Sequence, residues 1–174
     1  LSSDNVMDNG GQFDTDELIE KLYLWDSPSI SSYDSPYALW EGCYAAIASA
    51  NMALEGIENL GSPASLNPQR GEALVCRAYS HFLLANVFCM PYNPNTAESH
   101  LGIPYRTRTG DSVYPENTER GSLKNTYEQI AADLEAGLPL IKDAAYEVPK
   151  YHFNVKQPTL LLHGFISITK NGIR

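Results

Sequence analysis

Residues 71–92 read GEALVCRAYSHFLLANVFCMPY, and the reading of this run decides the fold. It is the most hydrophobic long stretch in the chain, and no proline interrupts it before Met90–Pro91. Apolar side chains fall on nearly every face: Leu74, Val75, Ala78, Phe82, Leu83, Ala85, Val87 and Phe88. A helix of that kind is expected between other elements rather than on a surface. Within it lie one acid, Glu72, and one arginine, Arg77. A buried guanidinium needs partners, because an unpaired charge out of water is costly. Arg77 is therefore expected to act as a structural clamp on Glu72, on helix-end carbonyls or on an acid of a neighbouring helix.

The helices to either side follow by periodicity. Upstream, Ser35 is a good N-cap and Pro36 suits the first turn of a helix over 37–60. Trp40, Cys43, Tyr44, Ile47, Asn51, Leu54 and Ile57 recur at steps of three and four and form one stripe. Asn51 lies inside that stripe. A buried amide must be hydrogen-bonded, so it should tie two helices together. The small residues Gly42, Ala45, Ala46, Ala50 and Ala53 allow another helix to come close. Gly61–Ser62–Pro63 ends this helix, and Asn67–Pro68 is expected to cap and start the central one. So short a connection implies an antiparallel pair. Downstream, Ser122 caps a third helix over 122–141 with Leu123, Tyr127, Ile130, Leu134 and Leu138 in its stripe. Pro139 predicts a kink or late break.

The intervening segments are irregular. Residues 1–13 read as loop, and a short helix over 14–24 places Leu18, Ile19 and Leu22 on one face, with Asp14 or Thr15 as its cap. The link WDSPSISSYDSP over 25–36 has Tyr23, Trp25, Tyr33 and Tyr37 clustered around it. Such rings stack on the apolar faces of sugars, and a nearby Asp or Asn binds hydroxyls; the plainer reading is that Trp25 plugs the end of the bundle. The passage 93–121 is long and polar, with short extended pieces expected at 102–105 and 112–114. Long loops in compact domains are often functional, and His100, Tyr105, Arg106, Arg108 and Tyr114 are the side chains there suited to meeting a ligand.

Composition bounds the function. A chain of 174 residues with 43% hydrophobic content suffices for one domain with a real core. The net charge of −9 argues against nucleic acid, which needs a basic stripe. No apolar run has transmembrane length. The three cysteines, Cys43, Cys76 and Cys89, are scattered without a CxxC pair, and they read as core thiols rather than a disulfide framework or zinc site. His81 belongs to the central helix, and His100, His152 and His163 lack companions. The acids show no spacing that singles out a catalytic pair. No cofactor or metal is expected. The chain opens LSSDNV without an initiator Met, as a processed or trimmed product would.

Two stretches, Trp40/Tyr44/Ala50 and Ala78/Phe82/Pro91, share the large–small plan of tetratricopeptide helical hairpins, whose usual use is a binding surface. Beyond that plan, WEGCYAAIASANMAL over 40–54 resembles the first hairpin helix of the SusD/RagB family. The run at 71–92 resembles that family's gEA-xx-RA helix, HLGIPY at 100–105 its giP segment, and ERGSLKNTYEQIAADLEAGLPLI at 119–141 its R-x-S-v-xx-vY-xx-I-xx-DL-xx-A helix. The likeness covers roughly residues 2–156. Cys89 stands where the family usually has Gly, and Gly137 interrupts the third helix.

The resemblance implies an all-α fold of TPR-like antiparallel hairpins with long irregular loops, here the N-terminal portion only. It implies a non-catalytic, surface-exposed outer-membrane lipoprotein that captures glycans or other nutrients and passes them to a TonB-dependent SusC-like transporter, with the lipid-bearing Cys upstream of this chain. Trp25, Asp26 and Tyr33 are the expected ligand contacts, since they precede the first hairpin where the family often places aromatic and polar groups. A peptide-binding TPR-like adaptor and a glycosidase with two spaced carboxylates are the competing readings.

After Lys156 the pattern stops, which sets off an atypical tail, 157–174, from the body at 1–156. FISITKNGIR can be encoded TTT ATC TCT ATT ACA AAA AAT GGG ATA AGG, which read two bases in gives YLYYKKWDK, a family-like helix end. The tail is therefore expected to be a frame-shifted continuation, and the gene's nucleotide sequence tests this directly.

Overall fold

A computed structural model of the protein describes residues 17–26, 35–110 and 119–146, together with Gly164 and Thr169. Among these residues the helices are α1 (Glu17–Tyr23), α2 (Pro36–Asn59), α3 (Asn67–Phe88) and α4 (Leu123–Gly137). Short 3-10 turns flank α3 and α4 at Ala64–Leu66, Leu138–Leu140 and Asp143–Ala145. Among the described residues the sole extended pairing is an isolated antiparallel bridge between Leu101 and Ser122. The all-α class expected from the sequence is the one observed. No described helix is long and apolar enough to cross a membrane.

The chain divides into two compact units, Leu1–Gly42 and Cys43–Arg174, with the division inside α2. In the first unit, α1 buries Leu18, while Ile19 and Leu22 are exposed; the expected three-residue face reduces to one buried leucine. The cap positions Asp14 and Thr15 lie outside the described residues. Ser35 starts α2 as expected, its Oγ accepting the Ala38 N–H at 3.1 Å.

The second unit holds the core. Along α2 the buried positions are Cys43, Ile47, Asn51 and Ile57 of the stripe read from periodicity, together with Ala50; Trp40, Tyr44 and Leu54 of that stripe are half-buried. α2 ends in a six-residue C-cap: the Ser62 N–H bonds to the Ile57 carbonyl and the Gly61 N–H to the Glu58 carbonyl, both at 2.9 Å. Gly61 takes φ +80° there, a left-handed conformation glycine adopts without a Cβ penalty. The turn Ala64–Leu66 then runs directly into α3, so Asn67 lies inside the helix rather than capping it, and Leu66 holds the cap position without a side-chain bond.

α2 and α3 are antiparallel. Tyr44 lies edge-on to His81, and Asn51 bonds Arg77 further along, so rising numbers on one helix meet falling numbers on the other. α4 packs antiparallel on α3 in the same way, through Phe82–Tyr127, Arg77–Asp133 and Gly71–Gly137. α3 is more one-sided than its composition suggested. Val75, Ala78, His81 and Leu84 are fully buried, while Tyr79 and Val87 are exposed at 39% and 54%. In α4, Leu123, Tyr127, Ile130 and Leu134 are buried, whereas Leu138 has passed into the 3-10 turn that Pro139 enforces.

Gly137 is the last residue of α4 and marks a close crossing with α3. A Cβ on Gly71 would stand 2.7 Å from the Gly137 carbonyl oxygen, and one on Gly137 would stand 2.9 Å from that of Gly71. Backbone cannot yield as a side chain can. Gly71→Ala is therefore expected to cost about 1–3 kcal/mol by overpacking, read as a shift of the urea midpoint at unchanged slope; an unshifted midpoint would show that the crossing is loose.

The polar passage after α3 is tied to the start of α4. His100 and Ala97 carbonyls accept the Leu123 and Lys124 N–H groups at 2.8 and 3.1 Å, and Ser122 Oγ accepts that of Asn125 at 3.1 Å. These are the backbone donors a helix N-terminus leaves unsatisfied. Arg120 closes the other end of the loop, donating to the Gly102 carbonyl at 2.6 Å and to the Phe88 carbonyl at 3.4 Å. The three thiols are free, Cys43 buried and the others half-buried, and burial pushes Cys76 up to about 11. Burial raises Cys43 and Cys89 as well, so all three are protonated thiols at neutral pH.

Candidate functional site

Two regions bear on function, one in each unit. In the first, Trp25 follows α1 in the left-handed region, φ 57°. It is the penultimate residue of a second six-residue C-cap, in which the Asp26 N–H reaches the Lys21 carbonyl at 2.9 Å and the Trp25 N–H the Leu22 carbonyl at 3.4 Å. That position normally takes glycine. A bulky L-residue there costs about 1–2 kcal/mol, so the chain carries local strain at the residue whose ring is the most exposed large apolar side chain among the described residues. Trp25 is 83% exposed. The indole does not plug a core. Asp26 is the next residue and is also exposed. The third expected contact, Tyr33, lies outside the described residues, as do Tyr114 and the extended piece expected at 112–114.

In the second unit a polar cluster fixes a strap, residues 103–109, across the helices. Arg77 and Asp133 form a two-pronged ion pair, Nε to Oδ2 at 2.7 Å and Nη2 to Oδ1 at 2.6 Å. Arg77 Nη1 donates to Asn51 Oδ1 at 2.9 Å and to the Thr107 carbonyl at 3.2 Å. The Asn51 amide donates to the Arg106 carbonyl at 3.1 Å. Asn51 thus ties helix to helix and both to the strap. The acid that serves Arg77 is on α4; Glu72 instead accepts from the Tyr146 hydroxyl at 2.7 Å.

Of the strap residues expected to face a ligand, Tyr105 is built into this cluster by its side chain and Arg106 by its backbone. The Tyr105 hydroxyl donates to Asp133 Oδ2 at 2.6 Å, and its ring stacks on His81 with centroids 3.8 Å apart. Burial, then the Asp133 charge, pushes the Tyr105 phenol far above its usual range. The Arg106 backbone N–H donates to His81 Nε2 at 3.1 Å. The other ring nitrogen of His81, Nδ1, therefore carries the proton and donates to the Arg77 carbonyl at 2.8 Å. Burial depresses His81 to about 4, so the imidazole is neutral. Tyr44 completes the hold, donating to the Pro104 carbonyl at 2.9 Å.

Beyond the strap, a cavity of about 300 Å³ opens between the end of α2, the start of α3 and the strap. Leu54, Ile57 and Leu74 give it an apolar side. On its rim Glu55 accepts the Thr109 N–H at 2.8 Å and also the Thr109 hydroxyl, and these bonds hold its carboxyl below the usual range. Arg108 pairs with Glu58 at 3.3 Å on the surface. His100, the remaining expected loop contact, lies half-buried outside this rim. Among the described residues no group of His, Cys, Asp and Glu is arranged to hold a metal ion.

Antiparallel helices α2, α3 and α4 crossed by a long strap define an all-helical hairpin scaffold. A sequence model of the SusD-like family, described as starch-binding and associating with the outer membrane, matches residues 4–157, and the chain belongs to that family. Its fold is similar to the crystal structure of a candidate sugar-binding protein from Bacteroides vulgatus, with a TM-score of 0.69 and 20% identity. The match covers 86% of this chain and 32% of that one, so the chain spans about a third of the length of the solved relative. A comparison with curated proteins gave no match.

Proposed function

We propose that the chain is the glycan-capturing, non-catalytic part of an outer-membrane nutrient-uptake system, with a SusC-like TonB-dependent transporter as its partner and a lipid anchor holding it at the cell surface. The family match over residues 4–157 carries this reading. Trp25 supplies the contact: its exposed ring stacks on the apolar face of a sugar, with Asp26 beside it for a hydroxyl and Tyr33 as the third member of the set.

A polysaccharide panel assayed together for retention and for released sugars separates the alternatives. Retention without turnover supports capture, and released product would replace it by a glycosidase. Trp25→Gly gives a sharper result. It relieves the left-handed strain, so stability rises by about 1 kcal/mol, while affinity for the retained glycan falls. A variant that is more stable and binds unchanged removes Trp25 from the site.

A further inference from the structure

The cavity between α2, α3 and the strap has an imbalance of partners. Its carboxylates are occupied from within: Glu55 by Thr109 and Glu58 by Arg108. Arg77, at its inner wall, is matched to Asp133. Arg70 also lines the cavity, on the first turns of α3, and has no ion pair or hydrogen bond among the described residues. The unfilled charge of the cavity is thus a guanidinium, a group shaped to take a carboxylate through two parallel N–H bonds. Ser62 lies on the same lining with φ 51°, held there by the C-cap of α2. Its hydroxyl offers both a donor and an acceptor. Leu54 and Leu74 provide the apolar side. The volume, about 300 Å³, is at the small end for a ligand pocket.

From these features we infer that the cavity is a binding site for a carboxylate-bearing sugar, a hexuronate unit of an acidic glycan. Arg70 takes the carboxylate, Ser62 meets a ring hydroxyl, and Leu54 and Leu74 face the apolar side of the ring. The overall charge of −9 does not oppose this at physiological salt, where the screening length of about 8 Å lets Arg70 act and mutes distant carboxylates. The inference rests on the saccharide-capture reading and adds the chemical class, at a place separate from Trp25.

The test is calorimetric titration of the full chain with galacturonate, with galactose as the neutral counterpart and acetate as a carboxylate without a ring. Galacturonate is expected to saturate one site, with galactose at least tenfold weaker and acetate not saturating. Arg70→Gln, an exposed substitution, is expected to lower galacturonate affinity at least tenfold with the melting temperature unchanged. Equal binding of galactose, equal binding of acetate, or an indifferent Arg70→Gln each overturns the inference. Failure here is distinguishable from failure of the capture reading. Glycan retention that depends on Trp25 without a uronate site leaves that reading standing, and an Arg70-dependent uronate site without polymer retention leaves only the inference.

Discussion

Asp133→Ala is expected to lower the unfolding free energy by about 3–5 kcal/mol, the cost of leaving a buried charge without its partner. Arg77 is 8% exposed and its carboxylate partner is also 8% exposed, so water cannot replace the lost acceptor. The Tyr105 hydroxyl loses its 2.6 Å acceptor in the same substitution and keeps only the Gln129 carbonyl at 3.3 Å. Arg77→Met should cost a similar amount, since it strips donors from Asp133, Asn51 and the Thr107 carbonyl together. The double variant should lie much nearer either single than their sum, because residues in one network are strongly non-additive. Urea unfolding of the four proteins measures the cycle; a single-variant loss below about 1 kcal/mol would place the pair in the surface class instead. Hydrogen exchange gives an independent readout. Amides of the strap, Arg106 above all, should lose protection in Arg77→Met, since Asn51 and Arg77 hold the strap's Arg106 and Thr107 carbonyls.

How much of this was legible in the sequence depends on the range of the cause. Helix stripes and caps are local. The buried positions of α2 and α4 follow from spacing, and Ser35, Ser122 and Gly61 do what their chemistry dictates near a helix end. The need of Arg77 for an acid was also legible, since it follows from charge and burial alone. Which acid serves was not, because Asp133 is 56 positions away and sits in α4 among ordinary polar residues. Separation along the chain also hid the pairing of His81 with Tyr105: one read as a histidine of the central helix, the other as a loop residue facing a ligand. Asn67 misled because a 3-10 turn feeds α3 and takes over the cap position. Gly137 looked like an interruption, and only the facing Gly71 backbone explains a glycine there. The strain at Trp25 is a property of φ, and nothing in the residue type announces it. The cavity combines residues from three segments, so no single motif contained it.

Lowering the pH from 7 is expected to destabilise the chain through His81 before most carboxylates titrate. His81 is fully buried and neutral, held between the Arg106 N–H and the Arg77 carbonyl. A proton on Nε2 would face that N–H donor. Burial is the largest cause of the depression to about 4; the hydrogen bond to the Arg77 carbonyl and the nearby Asp133 charge oppose it without overcoming it, and the Arg77 charge adds to it. Tyr44 and Tyr105, the rings against it, stay neutral, since burial raises both. In the unfolded chain the imidazole titrates near 6.5. Between those values the unfolded state binds the extra proton, so stability rises with pH. The contribution is complete above about pH 6.5 and is lost as pH falls through the folded value. From 6.5 and about 4, the loss is roughly 1.4 kcal/mol at pH 5.5 and about 2.5 kcal/mol at pH 4.5. His81→Gln has no titrating ring, so its stability should vary less over this window by those amounts, whatever its absolute value at pH 7. Parallel pH profiles for the two proteins would show that another group carries the acid sensitivity. Because the Arg106 N–H is the donor His81 accepts, protonation of the folded chain loosens the strap that walls the cavity, and ligand held there should be released only as pH falls through the folded value of about 4, below the window in which the unfolded state takes the proton.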